Sequence, residues 1–208
     1  MNILNDTIAF PDVSQATKDG LLAIGGDLQP ERLILAYKSG IFPWFDDDRF
    51  IMWWSPDPRF VLYPEKLKVS KSMKSILKKD TFDVTTNKAF GKVINECANI
   101  NRPGQIGTWI TDSMIKSYKE LHAMGLAKSV EVWQNDALVG GLYGVDLGNG
   151  VFCGESMFAK VDNASKVGFI TFVKSSHYKL IDCQVYTKHL ESLGAEEVSR
   201  DDFIKVLN

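Results

Sequence analysis

No run of 18 apolar residues occurs in the 208-residue chain, so no membrane-spanning helix is expected. The opening, MNILNDTIAF, lacks a basic segment leading into an apolar core, and no secretory leader is expected. Cysteine is scarce and odd in number. Cys97, Cys153 and Cys183 lack metal-type spacing, and without a leader they read as reduced thiols of a cytoplasmic protein. His122, His177 and His189 are scattered, and neither HExxH nor CxxC occurs, so no metal is expected. No Walker or dinucleotide glycine pattern and no GxSxG elbow are present. A net charge of −2 argues against a nucleic-acid binder driven by overall charge. What survives is chemistry by positioning, on a substrate that arrives already activated.

What is present begins with bulk. The chain is 45% hydrophobic and 24% charged, enough for a packed core in one medium domain with a small satellite. Residues 40–60, GIFPWFDDDRFIMWWSPDPRF, carry Trp44, Trp53 and Trp54 among four phenylalanines, broken by Pro43, Pro56 and Pro58. Rings in such a loop must be buried or stacked on something flat. Further on, eight lysines lie between Lys66 and Lys92 against Asp80 and Asp83. Within VSKSMKSILKKD, Ser70 can cap a helix with Met73, Ile76 and Leu77 on its apolar stripe. Lys71, Lys74, Lys78 and Lys79 share its flank, either as a solvated face or as a contact for phosphates.

The first sixty residues read as irregular apart from a helix at PERLILAYKSG, with Pro30 in its first turn and Gly40 past its end. From about Val61 the texture alternates between strands and helices. TFDVTT reads as a strand, and Asn87 is expected to cap the helix carrying Phe90, Val93, Ile94 and Cys97. RPGQIG reads as a loop, and Thr111 or Asp112 starts a helix stopped by Gly125. SVEVW, ALVGGLYGVDL and VFCGESMF follow as strands joined by QND and GNG turns, then a helix from NASK onward and a strand at LIDCQVY. Two helices close the chain, the second behind a Ser199–Asp202 capping box. The fold class is therefore α/β or α+β, a mixed sheet with flanking helices.

Polar residues inside strands carry the chemistry. Period 2 places Asp182 and Gln184 on one face of LIDCQVY, either at a wet sheet edge or lining a cleft where they orient an amine. Glu155, on an otherwise apolar or small-residue strand, costs several kcal/mol unless it is paired or hydrogen-bonded. It is either a satisfied structural carboxylate or an anchor for an ammonium group. Gly140, Gly141 and Gly144 in the preceding strand fit a pocket wall.

GLLAIGGDL, AYKSGIFPWF, WWSPDPR, TWIT, HAMGLAKSVEVW, LVGGLYGV, FCGESMF, NASK, LIDCQV and HLESLGA occur in this order over about residues 10–195. Together they resemble the leucyl/phenylalanyl-tRNA–protein transferases. The resemblance implies an α+β fold, with a small N-terminal domain over residues 1–61 and a GNAT-like acyltransferase domain over 62–208. It implies transfer of Leu or Phe, and Met less well, from aminoacyl-tRNA to proteins with N-terminal Arg or Lys, creating a bacterial degradation signal. Asp182 and Gln184 are then the expected catalytic pair, with Gln184 bonding the attacking amine and Asp182 orienting Gln184 and helping with the proton, or receiving the acceptor's cation; the terminal ribose hydroxyl of the tRNA is the alternative handler of the proton. Leu142, Phe169 and Phe172 would line the side-chain pocket, with Glu155 near the α-ammonium. Tyr37, Trp44, Trp109 and Tyr118 would lie near the terminal adenosine and the peptide, while Trp53 and Trp54 pack the two domains together. Lys71, Lys74, Lys78 and Lys79 would hold the acceptor stem. A further aromatic expected in the pocket helix has no clear counterpart, and Ser176 or Tyr178 stands there.

The aminoacyl ester is already activated, so no cofactor, ATP or metal is implied, and a monomer is the default. Two rivals remain. A coenzyme A-dependent GNAT-type acyltransferase would need a Q/R-x-x-G-x-G/A loop, which is absent. A noncatalytic RNA-binding protein would leave Asp182, Gln184 and Glu155 unexplained.

Overall fold

The computed structural model describes residues 2–79, 81–100 and 108–208. The expected RPGQIG loop lies outside the described residues. In chain order the elements are β1 (Asn2–Leu4), β2 (Leu21–Gly25), α1 (Pro30–Lys38), β3 (Phe42–Pro43), β4 (Met52–Trp54), β5 (Arg59–Leu62), α2 (Lys71–Lys78), β6 (Asp83–Thr86) and α3 (Phe90–Asn99). They continue with α4 (Asp112–Ala123), β7 (Ala127–Gln134), β8 (Ala137–Asp146), β9 (Val151–Ala159), α5 (Ala164–Ser175), β10 (Leu180–Gln184), α6 (Lys188–Ser192), β11 (Glu196–Val198) and α7 (Arg200–Leu207).

The strands form two sheets. A four-stranded sheet, β1-β2-β4-β3, gathers the N-terminal region, and a seven-stranded mixed sheet runs β11-β5-β10-β9-β8-β7-β6. The hairpins at QND and GNG join β7, β8 and β9 antiparallel, while β10 returns parallel to β9 through α5. The class is α+β, as the alternating texture implied. β5 crosses residue 61 and pairs antiparallel with β10 and β11, so the expected boundary falls inside a strand of the larger sheet.

Local chemistry explains several helix starts. Ser70, Thr111 and Ser199 each accept a hydrogen bond from a first-turn amide. The expectation for Asn87 is corrected: α3 begins after Ala89, and Asn87 adopts a positive φ of 58° instead. Its side-chain oxygen accepts the Ser129 amide at 2.9 Å, tying the turn to β7. The amides of Lys88 and Ala89 donate to the buried Glu131 carboxylate at 3.3 and 3.2 Å. A carboxylate from the neighbouring strand thus replaces a local cap.

One core joins the two regions, gathering Leu33, Phe42 and Trp53 with Phe90, Tyr118 and Tyr143. Trp53 is fully buried within it, against Phe10 and with its indole N–H donating to the Gly25 carbonyl at 2.9 Å. Trp54, half-buried, packs against the same core and also reaches its edge. Its ring lies 5.6 Å from that of Trp44, its N–H donates to the Trp44 carbonyl at 2.7 Å, and both rings line a cavity between the sheets. A second core, between the larger sheet and α5, holds Phe60, Leu142, Phe152, Phe169, Phe172 and Ile181. Among the described residues, no helix is long and apolar enough to cross a membrane, and no group of three His, Cys, Asp or Glu could hold a metal.

Candidate active site

β10 lies between β5 and β9, so the edge-strand reading of Asp182 and Gln184 does not hold. Nor do the two share a face by simple alternation. The register shifts between them against β5, and Gln184 sits at φ 65°. A non-glycine residue in that region is held there by its surroundings. Here the holder is Asp182, whose Oδ1 accepts the Gln184 backbone N–H at 2.9 Å. The rest of that carboxylate is committed to Arg59, whose Nε donates to Oδ1 at 2.8 Å and Nη2 to Oδ2 at 2.6 Å. Arg59 in turn lies between the Phe42 and Phe203 rings, 4.6 Å from each centroid, and donates to the Gly40 carbonyl at 3.2 Å. Both members of this ion pair are buried, so each depends on the other for charge compensation.

The bulge sends the Gln184 side chain to Glu155. Gln184 Nε2 donates to Glu155 Oε1 at 2.7 Å, and the Tyr118 hydroxyl donates to Oε2 at 2.9 Å. Tyr37 shares a buried hydrogen bond with the Tyr118 hydroxyl. Burial pushes the Glu155 carboxyl up to about 7, helped by nearby Asp182 and opposed by the bonds from Tyr37, Tyr118 and Gln184. Burial and the Glu155 carboxylate raise both phenols well above their ordinary range, so they stay protonated donors.

Glu155, Asp182 and Gln184 contribute to the wall of a cavity of about 720 Å³. Trp44, Trp54, Thr108 and Trp109 contribute aromatic and polar wall, and Trp44 is 42% exposed. Leu142, Phe152, Met157, Phe169, Ile181 and Leu190 contribute an apolar wall. The cavity therefore combines surfaces for stacking a planar group, burying an apolar side chain and engaging an amine at one polar edge.

The sequence family is decided by comparison with known proteins. A family model described as leucyl/phenylalanyl-tRNA protein transferase matches residues 61–208, and that family's N-terminal domain matches residues 26–57. A leucyl/phenylalanyl-tRNA–protein transferase of Flavobacterium johnsoniae is 59% identical over 210 residues, covering 100% of this chain and 99% of that protein. The chain belongs to the leucyl/phenylalanyl-tRNA–protein transferase family. Members from Flavobacterium psychrophilum and Syntrophus aciditrophicus are 56% and 52% identical, covering 100% and 98% of this chain and 99% and 86% of theirs.

Of the residues singled out in the family motifs, Trp44, Trp109, Leu142, Glu155, Phe169, Asp182 and Gln184 meet at the one cavity. Three do not line it. Tyr37 and Tyr118 are buried behind Glu155, where they hold its carboxylate and offer no face for stacking. Phe172 packs behind Phe152, with ring centroids 4.7 Å apart. The four lysines are exposed on α2, and none has an ion-pair partner among the described residues. Arg59, Phe152, Met157, Leu190 and His189 were missed. Arg59 stood inside the quoted WWSPDPR block, but its partner lies 123 residues away and no local pattern announces the pair.

Proposed function

We propose that this chain transfers Leu or Phe, and Met less well, from aminoacyl-tRNA to the α-amine of polypeptides beginning with Arg or Lys. It does so in the cytoplasm, as a step that marks them for degradation. One observation carries the reading: the Gln184–Glu155 hydrogen bond sits on the wall of a cavity that also has an apolar surface and tryptophans, in a chain of this family. The aminoacyl side chain occupies the apolar wall around Leu142 and Phe169. The terminal adenosine stacks near Trp44 and Trp109, where one base is worth roughly 1–3 kcal/mol. The lysines of α2 hold acceptor-stem phosphates.

The acceptor's neutral α-amine attacks the ester carbonyl. A C–N bond forms, the C–O bond to the ribose breaks, and the amine proton ends on the released ribose hydroxyl. Gln184 is too weak a base to take that proton, but its amide oxygen accepts the amine N–H and fixes the lone pair. Glu155, bonded to Gln184 and poised near neutrality, receives the proton and passes it on. Asp182 acts one step back, bracing the Gln184 backbone from within its pair with Arg59. Holding both substrates in place contributes about 7–11 kcal/mol of the barrier reduction. Replacing Gln184 by Ala is expected to lower kcat about 100-fold while leaving the affinity for charged tRNA unchanged. Parallel loss of tRNA binding would remove the catalytic assignment.

A further inference from the structure

The larger cavity is separated by a wall of three rings from a second cavity of about 470 Å³. Phe152 belongs to the lining of the first cavity, and Phe172 and Tyr178 to that of the second. Phe152 lies 4.7 Å from Phe172 and 5.5 Å from Tyr178, and the latter two are 5.6 Å apart. We propose that Tyr178 is a positioning residue that sets the depth of the aminoacyl pocket, by backing the Phe152 ring together with Phe172. The proposal rests on the transferase reading above.

Phe152 is closely confined at Gly144 in β8. A Cβ at Gly144 would lie 2.5 Å from Phe152 Cζ, so only glycine leaves room for the ring. What keeps the ring from retreating is the pair behind it. Tyr178 is itself held: its hydroxyl donates to Asp146 Oδ2 at 2.7 Å, and the Lys128 ammonium engages the same oxygen. Burial pushes the Asp146 carboxyl up, but the bonds from Lys128 and Tyr178 outweigh it and keep the group an ionised acceptor. The adjacent Lys179 amide donates to the Gly150 carbonyl at 2.7 Å, anchoring the segment beyond the end of α5. Ser176, the other candidate for the missing aromatic, donates its hydroxyl to the Val173 carbonyl and contributes no ring to the wall. Removing bulk from Tyr178 or Phe172 lets Phe152 rotate backward and opens the first cavity toward the second. The deeper pocket favours the longer aromatic substrate over Leu.

The test compares kcat/KM for phenylalanyl- and leucyl-tRNA in wild type, Tyr178→Leu, Phe172→Leu and Tyr178→Phe. Both Leu variants are expected to raise the Phe-to-Leu ratio about tenfold, the scale of a methylene-sized change in an apolar pocket. Tyr178→Phe keeps the ring but loses its bond to Asp146, and is expected to shift the ratio in the same direction by less than the Leu variants. A purely structural role would lower both substrates in parallel, and an unchanged ratio in the two Leu variants would overturn the proposal. Calorimetric affinities for 3′-amide analogues of phenylalanyl- and leucyl-adenosine report the same ratio without turnover. A shifted binding ratio in protein that transfers neither amino acid would uphold the pocket assignment and refute the transfer reading. An unshifted binding ratio would refute the pocket assignment even in an active enzyme.

Discussion

Glu155 ties stability to activity at a single side chain. Its carboxyl is raised from 4.5 to about 7 in the folded protein, chiefly by burial, so folding favours the protonated form. The group's contribution to stability is greatest below its unfolded pKa and declines as pH rises from about 4.5 to 7, after which it is level. The full decline is ~3 kcal/mol. Glu155→Gln keeps a hydrogen-bonding group of similar size without the buried charge. It is expected to flatten that pH dependence in denaturant unfolding, gaining stability relative to wild type at pH 8 and little at pH 4.5. Wild type is expected to gain single-turnover rate as Glu155 ionises through about pH 7, and the same substitution should remove that component, leaving only the rise from deprotonation of the acceptor α-amine at about 7.7–8. An unchanged rate profile would show that the proton goes elsewhere. Glu155 was visible in the sequence because a carboxylate in an apolar strand demands a reason. The bonds its neighbours make were not. Alternation along LIDCQVY picked out Asp182 and Gln184 but could not show the bulge between them, nor that Asp182 is bound by Arg59.

Among the elements, α2 makes the most separable contribution. Its Ser70 cap and buried Met73 fix the helix against the body, leaving Lys71, Lys74, Lys78 and Lys79 outward. Changing all four to Ala should weaken tRNA binding and reduce the slope of log affinity against log salt by roughly 3. Turnover at saturating tRNA should be retained, since none of the four lines the cavity. An unchanged salt slope would remove these lysines from the tRNA contact. Helices such as α2 and α4 were legible because their signals are local: a capping hydroxyl and a stripe at helical spacing. The start of α3 was not, because its first amides are met by Glu131 from another strand, over forty residues on.

For the whole molecule, what remained hidden was the order of strands. β5 follows the aromatic loop directly, yet it is an interior strand between β10 and β11 near the other end of the chain. Such pairings are set by long-range burial, and no local pattern reports them. They matter to function, because β5 brings Arg59 to Asp182 while the loop before it brings Trp44 and Trp54 to the cavity. The aromatic loop thus does both things its composition allowed, burying Trp53 in the joint core and presenting Trp44 at the cavity. The most direct test of the account supplies purified protein with tRNA charged with radiolabelled Leu and two peptides differing only in an N-terminal Arg or Ala, without ATP, metal or coenzyme A. The account predicts label on the Arg peptide alone. Label on neither peptide, with charged tRNA bound, would contradict it.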